Sequence, residues 1–462
     1  MRLTWTLALL ASSFVVAPAL AQKPNVVGQY EPLSLESPHP YPPVTTVAVG
    51  QEVFFPGATY VRVHFSKFQL ANGDWLEISN MARTEVYRYQ GKGPHDSGEF
   101  WANTILGESA LITLYAPQGG GFGFVVDGAG RGIVPLDGTG PQPESVCGTQ
   151  DWKDAKCYET SRPTEYARGR GSVLALIGCC SSCTAFKVSD SGQFMTNNHC
   201  TSSTSGVQST ELRLEYQLPG CASGTAAYTS SVMGSQMLKT DATLDYTLFT
   251  TTGSSSTIPC LELDPRLPPV GERIYLAGHP NGGPKKLSVE SDQNSGGLCA
   301  VDRSPYAGNG ADTDVGYYCD TIGGSSGSPV VSGSTNKVVA LHHFGGCLNS
   351  GVRIDRIYPQ ISSLLGSCNG GGGGPVCGNG SCEATESKCN CPSDCGLPPT
   401  TEAGLCSNLL DDDCDSVTDC TDPNCAGDPA CPACKANGQT CTLNRDCCSR
   451  RCSGALGRKN CR

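Results

Sequence analysis

The segment Gly323-Gly324-Ser325-Ser326-Gly327-Ser328-Pro329 holds the residue types that nucleophilic acyl transfer needs. A serine hydroxyl attacks well only when a base takes its proton and amides receive the oxyanion that forms. Glycines ahead of Ser326 let the chain turn tightly enough for the amides of Gly324 and Ser326 to point into one hole. A Gly/Ser turn without chemistry has the same composition, so the loop alone decides nothing. A base stands in Met195-Thr196-Asn197-Asn198-His199-Cys200, where a disulfide at Cys200 would fix the backbone carrying His199. Asp245 opens the apolar run Tyr246-Thr247-Leu248-Phe249, and a carboxylate buried there can hold the imidazole in the useful tautomer. A strand-capping Asp is the bland alternative for that residue. Together and in this order, His199, Asp245 and Ser326 make coincidence the weaker reading.

Three side chains from three distant stretches need a rigid scaffold. The 57 glycines and 16% charged residues favour short strands and turns over long helices. Within 147–368, strand-like stretches at 172–177, 245–250, 273–278 and 337–341 alternate with Gly, Ser and Pro turns, which fits two six-stranded barrels. Ahead of them, 22–146 is proline-rich and then alternates, with Val61, Val63 and Phe65 in one run and Leu111, Ile112 and Leu114 in another. This predicts a cysteine-free β-sandwich, read as a pro-region, with a retained accessory domain as the alternative.

The first 21 residues place Arg2, an apolar run and Ala19-Leu20-Ala21 in the order of a secretory signal. No later run reaches the length of a membrane span. All 28 cysteines lie beyond residue 146, a load suited to an oxidising compartment, so a secreted, extracellular protein is expected. The net charge of -11 argues against nucleic acid or anionic membrane as a partner, and a monomer is expected. A Gly-rich linker, 369–376, ends the chemical domain. Residues 377–431 form cysteine- and Asp-rich repeats, where Asp411, Asp412, Asp413, Asp415 and Asp419 read as a disulfide-braced turn or, less well, a Ca²⁺ site. Residues 432–462, with Cys434, Cys441, Cys447, Cys448, Cys452 and Cys461, read as a knottin-like module stapled by disulfides.

Residues 147–360 resemble the lysyl endopeptidase branch of the trypsin- and chymotrypsin-type serine peptidases, and more distantly the glutamyl endopeptidases. The likeness is carried by the serine loop, His279-Pro280-Asn281 and six cysteine contexts, and the N-terminal segment is similar to that family's pro-regions. The resemblance implies a mostly β, chymotrypsin-like double β-barrel and a serine endopeptidase acting on proteins or peptides without cofactor or metal. It also implies the disulfides Cys147–Cys347, Cys157–Cys221 and Cys183–Cys200. Animal trypsins carry Asp just before the nucleophile, where this chain has Ser325, so activation by insertion of a new N-terminus is not expected. Release of the pro-region after Arg131 is the processing expected.

Asp320, six residues before Ser326, has the offset at which trypsins place the carboxylate of the S1 pocket, which predicts cleavage after Lys or Arg. Its bland reading is a solvated loop acid. Lysyl endopeptidases take their pocket acid from the loop after the Gly-Gly strand, and Cys347-Leu348-Asn349-Ser350 offers none, so strict Lys selectivity is not carried over. His342, His343 and Gly345 are expected on the opposite pocket wall, which keeps Glu specificity as a rival. The rival from another class is a non-catalytic secreted binding or adhesion protein. A serine esterase is disfavoured because Ser328 breaks the Gly-x-Ser-x-Gly pattern. Cys299 is expected to pair with Cys319 from their proximity in sequence.

Overall fold

The computed structural model describes residues 24–43, 50–134 and 145–368, with short stretches between 388 and 461. The signal segment 1–21, the linker 369–376 and most of the tail cysteines and acids lie outside the described residues. The chain divides into two compact units, Met1–Gly373 and Gly374–Arg462. In the second, disulfides join Cys389 to Cys414 and Cys406 to Cys425, and a short ladder pairs Cys452–Ser453 with Asn460–Cys461.

The first unit opens with β1 (Asn25–Val26), followed by a sandwich. Its strands are β2 (Gly28–Glu36), β3 (Gly50–Phe54), β4 (Tyr60–Gln69), β5 (Trp75–Ser79), β6 (Val86–Tyr89), β7 (Phe100–Trp101), β8 (Ile105–Leu106), β9 (Ser109–Tyr115) and β10 (Gly123–Gly132). One sheet runs β2-β10-β4-β7 with β8 on β4, and the other runs β3-β9-β5-β6. Alternation in β4 decides which way each side chain faces. Val61, Val63 and Phe65 enter the sandwich core with Leu76, Ile78, Ile112 and Phe124, while Tyr60 joins Val27, Leu174, Leu176 and Tyr216 in a cluster shared with the next fold.

That fold is a double barrel. Its strands are β11 (Lys153–Asp154), β12 (Ser172–Ile177), β13 (Ser181–Lys187), β14 (Gln193–Thr196), β15 (Thr210–Leu214), β16 (Ser230–Asp241), β17 (Tyr246–Thr251), β18 (Ile274–Gly278), β19 (Lys286–Ser288), β20 (Val301–Tyr306), β21 (Asp314–Tyr317), β22 (Pro329–Ser332), β23 (Val338–Phe344) and β24 (Asn349–Arg353). Strands β13-β12-β15-β16-β17-β14 close on themselves through a β13–β14 pairing, with β1 added at the β13 edge. The second sheet, β11-β19-β18-β22-β23-β24-β21-β20, curls as a half-barrel of eight strands rather than a closed ring of six. Phe186, Met195, Tyr246 and Leu248 meet Tyr275, Leu287, Val331 and Leu341 in one core between the two. Disulfides join Cys147–Cys347, Cys157–Cys221, Cys179–Cys180, Cys183–Cys200 and Cys260–Cys368. The expected Cys299–Cys319 bridge differs: both are buried free thiols that hydrogen-bond to each other.

Sandwich and barrel meet through buried polar groups. Arg62, 1% exposed, donates to the carbonyls of Ala102 (2.8 Å), Leu176 (3.2 Å) and Gly178 (2.5 Å). Across the same joint, Glu211 accepts the amide of Thr104 and Arg213 donates to its carbonyl, at 2.8 and 2.9 Å. Arg131 lies in β10, paired with Gln29 on one side and Val61 on the other, so a cut after it requires two ladders to open first. Removing the Arg62 guanidinium takes a donor from two buried carbonyls, of Ala102 and Leu176, and from the half-buried one of Gly178. Arg62→Ala is expected to cost about 3 kcal/mol, read as a lower denaturant midpoint, because hydrogen bonds from a charged donor are the strong ones.

Candidate active site

His199 sits in the turn after β14, held at its neighbour Cys200 by the disulfide to Cys183 of β13. Asp245 directly precedes β17 and takes a positive φ of 43°, a strained conformation for a non-glycine residue. That geometry lets one carboxylate make two bonds to the same residue. Oδ1 accepts the His199 backbone amide at 2.9 Å, and Oδ2 lies 2.7 Å from Nδ1 of the His199 ring. Asn197 secures the other side by donating to the Asp245 carbonyl at 2.8 Å. Nε2 of His199 is buried and has no hydrogen-bond partner among the described residues.

Ser326 lies in the loop before β22, between the two barrels. Its carbonyl accepts the Thr184 amide of β13 at 2.8 Å, and the Gly327 amide donates to the His342 carbonyl of β23 at 2.9 Å. Gly324 and Gly327 have positive φ, 91° and 89°, and a Cβ at Gly327 would stand 1.9 Å from the Thr184 carbonyl. Both positions therefore need glycine. The Ser325 hydroxyl accepts the Ile322 amide at 3.3 Å, and the Ser325 amide donates to the Ile322 carbonyl at 2.9 Å, which closes the loop from within. Thr184 Oγ1 donates to the Gly324 carbonyl at 2.9 Å and so orients the peptide that precedes Ser325.

His343 differs from its expected place on a pocket wall. It is fully buried, with Nδ1 3.1 Å from Asp245 Oδ2 and Nε2 2.6 Å from Asp314 Oδ2. Both ring nitrogens are taken by carboxylates, so none is left for a substrate. Burial opposes its charge, but the hydrogen bonds and charges of Asp245 and Asp314 outweigh that and raise its pKa. Asp245 is the counterpart: burial would raise its pKa, yet the bonds from His199 and His343 hold it down at about 2. Asp314, which also accepts Ser350 Oγ at 2.7 Å and Thr313 Oγ1 at 2.8 Å, escaped sequence reasoning. It opens β21.

His342 points elsewhere, with Nδ1 2.8 Å from the Tyr317 hydroxyl. Burial and the neighbouring His343 lower its pKa to about 3. Asp320 is 1% exposed, and its oxygens accept the amides of Cys147 (2.8 Å) and Asp151 (2.7 Å). Trp152, Lys286, Ser325 and Ser328 share a small cavity with it behind the serine loop. Burial raises its pKa despite those amides. Gly345 is exposed just beyond β23. The sulfurs of Cys183 and Cys200 lie within 4.8 Å of a His199 ring nitrogen, but they are bonded to each other and offer no thiolate to a metal.

Residues 183–341 match the trypsin-like peptidase domain family. Over 321 residues the chain is 33% identical to the secreted RxLR effector protein 73 of Plasmopara viticola, covering 64% of this chain and 77% of the relative. Among solved structures it is similar to a serine endoprotease from Yersinia pestis, at 11% identity and a TM-score of 0.33, covering 44% of this chain and 66% of that one. The inactive form of the Rv3671c protease is similar at 12% identity and a TM-score of 0.34, covering 45% of this chain and 96% of that one. Neither structural likeness is close enough to carry an argument.

Buried histidines make the fold sensitive to acid. His279, also lowered to about 3 by burial and then by Lys285, behaves like His342. Unfolding below about pH 6.5 lets both take up protons that the folded state refuses until about pH 3, so stability falls through that window. Asp245 adds to the loss only below its ordinary value of 3.8, and does so down to its own value of about 2. His343 works the other way: its contribution is complete below the ordinary histidine value and fades as pH rises through its raised one. The melting temperature should therefore drop on acidification from about pH 7 to about pH 4.5. In His342→Gln, which keeps a partner for Tyr317 but cannot titrate, the drop should be smaller.

Proposed function

Since this chain belongs to the family of the secreted RxLR effector protein 73 of Plasmopara viticola and carries a trypsin-like serine peptidase domain, we propose that it is a secreted endopeptidase cutting after Lys or Arg. The reading rests above all on one observation, the two-point grip of Asp245 on His199. That grip fixes the tautomer with Nδ1–H toward the carboxylate and leaves Nε2 to act as base. Ser326 Oγ loses its proton to Nε2 as it attacks the scissile carbonyl, and the amides of Gly324 and Ser326 receive the oxyanion. The protonated imidazole then gives its proton to the leaving amine, and a water molecule, deprotonated by the same nitrogen, hydrolyses the acyl-enzyme. The amides of Ser325, Gly327 and Ser328 are used in hydrogen bonds within the protein, which is consistent with those of Gly324 and Ser326 serving the oxyanion.

Basic specificity rests on Asp320. Each of its oxygens accepts one amide and retains a second lone-pair site for an ammonium or guanidinium group. Its pKa is raised by burial, so an arriving cation would favour the charged form and be favoured by it. Glu specificity through His342 is the second reading, but a buried imidazole kept neutral to about pH 3 has no charge with which to draw a carboxylate. Secretion is supported by the 28 cysteines, the N-terminal signal pattern and the relative's description as secreted. No helix among the described residues is long and apolar enough to cross a membrane.

A digest of denatured proteins, with the residue before each new cut read by mass spectrometry, tests the proposal. Cuts should follow Lys and Arg and vanish with Ser326→Ala. Asp320→Asn should lower cleavage after basic residues about a hundredfold, as when a buried polar recognition group is lost, while labelling of Ser326 by a fluorophosphonate persists. Cuts after Glu would move specificity to His342, and a native protein indistinguishable from Ser326→Ala would favour a binding scaffold.

A further inference from the structure

The free edge of β13 has three consecutive occupants. At one end, Phe186 and Lys187 pair with β14. In the middle, the Thr184 amide holds the carbonyl of Ser326. At the other end, Ser182 and Ser181 pair antiparallel with Asn25 and Val26 of β1. The N-terminal strand thus lies two residues along the same edge from the contact that seats Ser326, a distance of about 7 Å at the rise of a strand. Asn25 reinforces the placement. Its Nδ2 donates to Ser182 Oγ at 3.1 Å, and its Oδ1 would stand 2.9 Å from a Cβ on Gly323, next to Gly324 of the serine loop.

This end of the edge is the side on which a leaving group departs. The imidazole of His199 must reach the leaving nitrogen to protonate it, and the Cys183–Cys200 bridge ties the His199 turn to β13. A peptide leaving Ser326 along Cys183, Ser182 and Ser181 would run antiparallel to β13, which is the polarity of β1. Packing does not require β1 to be there. The buried anchor is Val27, whose amide donates to the Cys180 carbonyl at 2.8 Å, whereas Val26 is 59% exposed. Beyond that anchor, β1 is held among the described residues by the pairing and by Asn25.

We propose that β1 is an intramolecular strap that occupies the leaving-group side of the substrate cleft by strand addition to β13 and must lift before an extended peptide can bind. The proposal rests on the serine peptidase reading above. A tethered segment competes at an effective concentration in the millimolar range without any large contact area, and an incoming peptide would replace it by the same main-chain bonds. The strap raises KM for peptides with several residues after the cut and leaves substrates with a small leaving group unaffected.

The test compares the full secreted enzyme with two variants, Asn25→Pro/Val26→Pro, which removes the strand donors, and a deletion of residues 22–26, which keeps Val27. Two fluorogenic substrates share one acyl side, with the residue before the cut taken from the digest. One ends in an anilide and the other continues for four residues. The expected result is KM for the long peptide lowered about tenfold or more in both variants, with kcat and the anilide kinetics unchanged. Equal KM ratios in all three proteins would overturn the strap, as would parallel changes on both substrates, which would mark β1 as a purely structural link. Fluorophosphonate labelling distinguishes the failures: labelling with unchanged ratios sinks the strap alone, whereas no labelling of any protein sinks the peptidase reading and the strap with it.

Discussion

Two buried carboxylates, Asp245 and Asp314, face one another across the ring of His343, and the rest of the site is arranged to make that tolerable. Taking a carboxylate out of water costs several kcal/mol even after relaxation, and the cost is recovered only when hydrogen bonds and opposite charge answer it. Asp245 is answered by the amide and ring of His199 and by His343, and Asp314 by His343, Ser350 and Thr313. The positive φ at Asp245 accompanies this arrangement, in which both carboxylate oxygens reach His199. The requirement explains why a histidine, with two donors, stands between the acids. The same two carboxylates raise the His343 pKa, because their hydrogen bonds and charge outweigh its burial.

The carboxylates come from opposite barrels, Asp245 from the start of β17 in the closed one and Asp314 from the start of β21 in the half-barrel. The polar chain is therefore also a joint. Ser326 spans the same seam, with its carbonyl bound to β13 and the amide of Gly327 bound to β23. Glycine at 324 and 327 is what lets the loop pass so near both walls. The Cys183–Cys200 bridge lies next to the His199 turn and fixes its backbone against β13.

The sandwich is joined to this assembly more firmly than a detachable segment requires. Strand β4 has two working faces, Val61, Val63 and Phe65 inward and Tyr60 and Arg62 toward the barrel. The buried Arg62, Glu211 and Arg213 find their partners in main-chain groups across the joint, and separation would return those groups to water only after every such bond had broken. Control by a small movement at the edge costs less than control by release of the whole sandwich.

The roles proposed for Ser326, His199 and Asp245 come from local contexts, a glycine loop, a His-Cys turn and an acid before an apolar strand, and the contact of Asp245 with His199 agrees with them. The mostly β class and the sandwich were legible for the same reason, since alternation and turn residues are local. Disulfide partners beyond those the resemblance implied, such as Cys260 with Cys368, were not, because a bridge depends on Cα positions that 108 residues of intervening chain leave open. The fate of His342 and His343 was decided only in three dimensions. Adjacent residues on a strand face opposite ways, so one ring went to Tyr317 and the other between two acids. No sequence pattern marks Asp314 as the partner of a residue 29 positions away, and none sets Asn25 beside Gly323. Those contacts follow from how two barrels and a sandwich close on each other, which is a matter of packing rather than of neighbours along the chain.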